Sequence, residues 1–169
     1  MNSLPEVDRF DDTRESIYDF GNEFLVVCPK CQMMAKVVPH GPHIQPDTTK
    51  RCKLVCLHCG LNKVDRKTRL WWIQVGGAPN PMHVTVGGAF DWYFKEPLWL
   101  QTECCGNTLW VYNEKHLDFI ERYVSASLRT RSPYRNTSLA SRLPQWIKSA
   151  KNRKNVLRAI DRLKTRLNG

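Results

Sequence analysis

Two C-x-x-C pairs, Cys28/Cys31 and Cys56/Cys59, separated by 24 residues, constrain this chain more than any other feature. Each pair makes a tight turn that aims two sulfurs at one point, and two such turns complete a tetrahedron of Zn–S bonds of about 2.3 Å. Cysteine at all four positions leaves no open coordination site for water, so the pattern predicts one structural Zn²⁺ and no catalytic metal. Both pairs are bounded by β-rich segments, residues 24–28 and 33–38 around the first and 51–55 and 61–64 around the second. This predicts two β-hairpins, each with a cysteine knuckle at its tip.

Cys52, His40, His43 and His58 are rival ligands, but structural zinc sites close at four, so they are read as a strand residue and as loop or surface groups. Cys104 and Cys105 are adjacent. Neighbouring Cα atoms lie about 3.8 Å apart, under the disulfide minimum of about 4.4 Å, so a bond between them is strained. Alternation along a strand predicts one buried and one exposed thiol. Seven cysteines, an odd number with four in knuckles, suit metal binding in a reducing compartment better than a disulfide scaffold. The chain lacks a run of about 20 apolar residues and a basic-then-apolar leader, so a soluble, cytoplasmic protein that does not enter membranes is expected.

The predicted fold class is α+β: an N-terminal Cys₄ site and antiparallel β-hairpins followed by a C-terminal helical segment. Residues 1–22 form an acidic arm, 23–69 the knuckle-bearing module, 70–112 an antiparallel β region, and 113–169 a basic helical region. The breaker-rich residues 39–47 read as a loop. Residues 70–75 and 83–86 read as strands joined through 76–81, and Gly106-Asn107 reads as the turn of a further hairpin, with glycine at its first central position. Asn113 and Glu114 open a helix on which Leu117, Ile120, Val124 and Leu128 share a face, ending near Arg131. Residues 138–150 are broken by Pro144, and Val156, Ile160, Leu163 and Leu167 mark a last, amphipathic helix.

Residues 24–64 resemble a zinc ribbon of the transcription factor IIB type, on the two knuckles, Pro29 inside the first and Gly60 after the second. Gln32 stands where that pattern usually has glycine. Residues 99–106 and 143–151 are similar to segments of small bacterial zinc-ribbon proteins, a group sometimes linked to a replication-restart helicase. No helicase is implied, because the chain has no G-x-x-x-x-G-K-[ST] phosphate loop.

The formal charge of +10 is uneven. Residues 1–24 hold seven acids against Arg9 and Arg14, while residues 125–169 hold twelve Lys or Arg against Asp161 alone. Such a basic end attracts phosphate backbones, and its arginine richness suits bidentate contacts. Arg142, Lys148, Lys151, Arg153, Lys154, Arg158 and Arg162 are the candidate nucleic-acid contacts, with DNA ahead of RNA. Trp71 and Trp72 face opposite ways in a strand, and Trp72 is the candidate platform for a stacked base.

The leading reading is a nucleic-acid-binding accessory protein. The alternative is a protein-interaction adaptor of a larger nucleic-acid-processing or defence complex, and a third is a thiol or hydrolytic enzyme. Asp91, Glu96, Glu103, His83 and His116 offer acids and bases, but their spacing forms no recognised catalytic constellation. No small-molecule substrate is evident from the motifs.

Overall fold

The computed structural model describes residues 8–40, 51–64, 72–75, 78–81, 87–130 and 138–169. In chain order these form β1 (Arg9–Phe10), a 3-10 turn (Ile17–Phe20), β2 (Phe24–Val27), β3 (Met34–His40), β4 (Arg51–Val55), β5 (Asn62–Val64), β6 (Trp72–Val75) and β7 (Ala78–Pro81). There follow β8 (Gln101–Cys104), β9 (Asn107–Trp110), α1 (Glu114–Ser125), β10 (Leu128–Arg129), α2 (Leu139–Arg142), α3 (Gln145–Lys148), a second 3-10 turn (Ala150–Asn152) and α4 (Arg153–Asn168). The class is α+β, antiparallel sheets preceding the helices. Two compact units cut across the linear segments: Tyr18–Gln101 with Trp110–Asn113, and the residues up to Ile17 with Thr102–Leu109 and Glu114–Gly169. Among the described residues, no helix is long and apolar enough to cross a membrane.

In the sheet unit, β2, β3, β4 and β5 form an antiparallel meander. The register Phe24↔Val37, Val26↔Ala35 and Val37↔Leu54 puts these residues on one face, and all are buried. Their period-2 spacing drives the sheet together, each such side chain contributing about 1.5–3 kcal/mol on full burial. The outer edge of β2 is occupied: the Leu25 amide donates to the Tyr112 carbonyl at 2.8 Å, the Val27 amide to Pro97 at 2.8 Å, and the Trp99 amide to Leu25 at 2.9 Å.

Two strand limits differ from expectation. β3 continues through Pro39 and His40, which pair with Cys52 and Arg51, into the expected loop. Since β2 begins at Phe24 opposite Val37, β3 is an edge strand by Pro39, where a missing N–H is tolerated. β7 occupies part of the expected connection, pairing Trp72↔Pro81, Ile73↔Asn80, Gln74↔Pro79 and Val75↔Ala78. Pro79 and Pro81 are two apart, so both nitrogens lie toward the same edge, and the outer edge of a two-stranded sheet accommodates them. The expected strand 83–86 and the rest of the loop, 41–47, lie outside the described residues.

An aromatic cluster fills the base of this unit. Phe24, Trp92 and Tyr112 meet edge to face at centroid distances of 4.9–5.4 Å, and the Trp92 indole Nε1 donates to the Tyr112 hydroxyl at 2.9 Å. Gly21 packs against Trp92 so closely that a Cβ there would lie 2.6 Å and 2.8 Å from two ring carbons. Trp92 is held by the cluster and cannot swing away. Gly21→Ala is therefore expected to cost about 1–3 kcal/mol, read from the thermal midpoint, with the loss confined to packing since the glycine backbone is ordinary.

Asp91 is fully buried, and its carboxylate accepts from the amides of Tyr93, Phe94 and Glu96 at 2.7–2.8 Å, organising the turn that follows. Desolvation raises its pKa against the pull of those three amides. The Asn113 side-chain amide donates to the carbonyls of Phe20 and Glu23, each at 2.7 Å.

The helical unit begins with the N-terminal segment. β1 pairs in parallel with β10, Arg9↔Leu128 and Phe10↔Arg129, and Phe10 is buried edge to face against Phe119 and Tyr123. Residues 8–17 are thus built into this unit rather than forming a separate arm. Asp11 accepts from the Thr130 hydroxyl at 2.9 Å, Asp12 from the Ser138 hydroxyl at 2.6 Å, and Glu15 pairs with Lys115 at 3.2 Å.

This segment also ends α1 six residues before the expected stop. The Ser127 and Leu128 amides donate to the Asp8 carbonyl, a partner that a continuing helix would have denied them. Leu117, Ile120 and Val124 are buried as expected, whereas Leu128 is 48% exposed in β10. Residues 138–150 are broken as expected, with Ser138 capping α2 through its side chain and Pro144 preceding α3. Val156, Ile160 and Leu163 of α4 are buried, and Leu167 is half-buried.

His116, 2% exposed on α1, has its pKa lowered to about 3 by desolvation. The unfolded imidazole takes its proton near pH 6.5, so between about 6.5 and 3 only the unfolded chain gains it. Stability contributed by His116 is thus complete above 6.5 and lost as pH falls, at up to about 1.4 kcal/mol per pH unit. Urea unfolding followed by the helical signal at pH 6.5 and pH 5 is expected to show this slope, and His116→Phe to flatten it.

Candidate metal centre

The two knuckles share one backbone design. The Gln32 amide donates to the Cys28 carbonyl at 2.9 Å and the Gly60 amide to the Cys56 carbonyl at 3.0 Å. The Cys28 and Cys56 amides donate forward to Met33 and Leu61, each at 2.8 Å. The residue after the second cysteine has positive φ in both, +72° for Gly60 and +61° for Gln32. Gln32 therefore adopts the same left-handed backbone as Gly60, at a steric cost of roughly 1–2 kcal/mol.

Because β3 and β4 are adjacent, the knuckles converge. Cys28 Sγ lies 3.7 Å from Cys59 Sγ and Cys31 Sγ lies 3.6 Å from Cys56 Sγ, with all four sulfurs within 4.8 Å of one another. Bonds of about 2.3 Å to a tetrahedral ion imply sulfur separations near 3.8 Å. The two shortest of these separations match that value, and the donor set is placed to hold one metal ion. Cys28 and Cys56 are buried, whereas Cys31 and Cys59 are half-buried.

The surroundings act in opposite directions on Cys56 and Cys31. The Cys59 amide, with neighbouring sulfurs and the His58 amide behind it, draws Cys56 down to about 7 against desolvation. At Cys31 the Met33 amide pulls downward, but desolvation and the three surrounding sulfurs outweigh it and push the thiol up to about 12. A cation held at the centre by Cys28, Cys31, Cys56 and Cys59 would favour the thiolate form of all four.

Among the described residues, this is the group of His, Cys, Asp and Glu side chains placed to hold a metal. Cys52 is fully buried in β4 and hydrogen-bonds Tyr93, and His58 is exposed on its knuckle. His43 and the His40 side chain lie outside the described residues. No protein-family model, curated protein or solved structure matches the chain.

The candidate nucleic-acid contacts separate into two groups within the helical unit. Lys148 Nζ donates to the Ser141 carbonyl at 2.7 Å, and Arg153 donates to the Ala126 carbonyl at 3.1 Å, just past α1. Arg129, which was not among the candidates, donates to the Tyr123 and Lys148 carbonyls and stacks on the Tyr123 ring at 4.4 Å. These cations sit where a helix C-terminus presents carbonyls, and such placement is stabilising.

Arg142, Lys151, Lys154, Arg158 and Arg162 are exposed. Lys154, Arg158, Arg162 and Arg166 recur every four residues and form one ridge along α4. Arg162 also donates one amine hydrogen to the Glu103 carbonyl at 3.0 Å. Lys164, on another face, pairs with Glu121 at 2.6 Å.

Trp72 opens β6, and its side chain lies outside the described residues, as does Trp71 entirely. Of the candidate acids and bases, Asp91 and His116 are buried in different units and His83 lies outside the described residues.

Proposed function

We infer that this chain is a zinc-ribbon protein that binds nucleic acid through the ridge of α4. Four thiolates in a closed tetrahedron favour Zn²⁺ over oxygen-seeking ions, and a closed set gives the metal a folding role. The observation that carries the nucleic-acid reading is the recurrence of Lys154, Arg158, Arg162 and Arg166 on one solvent-facing line, with Asp161 the sole acid in α4. Successive charges about 6 Å apart along a helix suit a phosphate backbone.

A salt titration across single-stranded DNA, duplex DNA and RNA tests this. Binding is expected to weaken linearly on a log–log scale with salt. Absence of binding at low ionic strength would sink the reading.

A second reading, a protein adaptor, draws on Leu57, which is 88% exposed at the tip of the second knuckle. An apolar residue held rigidly by a metal site is a suitable anchor for a partner. A nuclease-resistant complex that Leu57→Asp disrupts would favour it.

A further inference from the structure

The turn between β8 and β9 carries a second sulfur pair with a geometry of its own. The expected Gly106-Asn107 turn is displaced by one residue: Cys105 and Gly106 are the central pair, with φ of +53° and +72°. Positive φ at both central positions is the type I′ arrangement, which favours Asn, Asp or Gly at the first. Cysteine is a poor choice there on backbone grounds. Asn107 steadies the turn from beyond it, its side-chain amide donating to the Cys105 carbonyl at 2.9 Å.

The turn explains the burial of the two thiols better than strand alternation does. Cys104, the last strand residue, is 5% exposed, while Cys105 is exposed on the turn. Their sulfurs nevertheless lie on the same side, 3.7 Å apart. Arg162 reaches from α4 to the Glu103 carbonyl, so the strand beneath the pair is held from a second element of the same unit.

We propose that Cys104 and Cys105 form a chelating dithiol for trivalent arsenicals, a site separate from the four-cysteine centre. A disulfide is the poorer use of this pair, because it must draw the sulfurs to about 2.0 Å across neighbouring Cα atoms. One atom bonded to both sulfurs spans the existing gap instead. Burial and the neighbouring sulfur raise the Cys104 thiol to about 11, which disfavours reactions that need a ready thiolate. In net terms, condensation at arsenic consumes both thiols and carries their protons away in water.

With phenylarsine oxide the step balances simply. Two As–S bonds form, the As=O bond and two S–H bonds break, and oxygen leaves with both protons as one water. Arsenic stays trivalent and no oxidant is required. Attack by the exposed Cys105 places arsenic beside Cys104, so the second bond closes intramolecularly.

The test uses the full chain loaded with zinc and one equivalent of phenylarsine oxide, read by native mass spectrometry. One adduct with zinc retained is expected. Cys104→Ser and Cys105→Ser should each weaken it by at least about 100-fold, through loss of the chelate. Cys105→Gly, which suits the turn, should do the same and guards against misfolding as the cause. No adduct, an adduct formed only with loss of zinc, or equal binding by the variants would overturn the proposal. None of these readouts depends on nucleic-acid binding.

Discussion

Cys56→Ser, or removal of the bound metal from the unaltered chain by a chelator, is expected to melt the knuckles and fray β3, β4 and β5, lowering the thermal midpoint of the sheet unit by at least about 15 °C. Cys56 joins both halves of the site: its carbonyl accepts from the Gly60 amide and its sulfur lies 3.6 Å from Cys31. Removing one sulfur leaves three, with the two knuckles no longer tied at a single point. Hydrogen exchange should localise the damage. Protection is expected to vanish at Gln32, Cys56 and Gly60 but to persist at Leu25, whose amide is held by Tyr112, and at Trp99, held by Leu25. Uniform loss across the unit would mean that the metal supports the aromatic base as well. An unchanged melt would exclude a folding role for the metal.

Reversing two charges on the ridge is the second large effect. Lys154→Glu with Arg158→Glu is expected to weaken nucleic-acid binding by at least about 100-fold at low salt and to flatten the log–log salt slope by about two. Both residues are exposed on α4, away from buried Val156, Ala159, Ile160 and Leu163, so the fold should hold within about 0.5 kcal/mol. The comparison that isolates the ridge is Arg153→Gln. Its guanidinium already serves the Ala126 carbonyl, so its loss should lower stability more than binding. If Arg153→Gln reduced affinity as strongly while the ridge variant bound normally, the phosphate contacts would belong elsewhere in the helical unit.

The four clustered cysteines were readable because a site that holds a metal imposes short, fixed spacing on the chain. The same locality made the core of α1 and α4 legible, since helical periodicity repeats within a few residues. Even Gln32, an irregularity in the sequence, adopts the left-handed backbone of its counterpart Gly60 because knuckle closure demands it.

Other features depend on partners distant in sequence. The end of α1 was set by the Asp8 carbonyl, more than a hundred residues earlier, which no periodicity in residues 114–131 could announce. The roles of the basic residues divided in the same way. Arg153 and Lys154 are neighbours, yet one turns onto a main-chain carbonyl and the other faces solvent, because α4 buries only one of its faces. Adjacent cysteines at 104 and 105 suggested opposite faces of a strand, but a type I′ turn one residue earlier than expected placed both sulfurs together. Local spacing was enough to mark the four cysteines placed to hold a metal and the apolar helix faces. Which cations remain at the surface, and which thiols meet, followed from long-range packing, where a carbonyl or a turn selects among local conformations of similar energy.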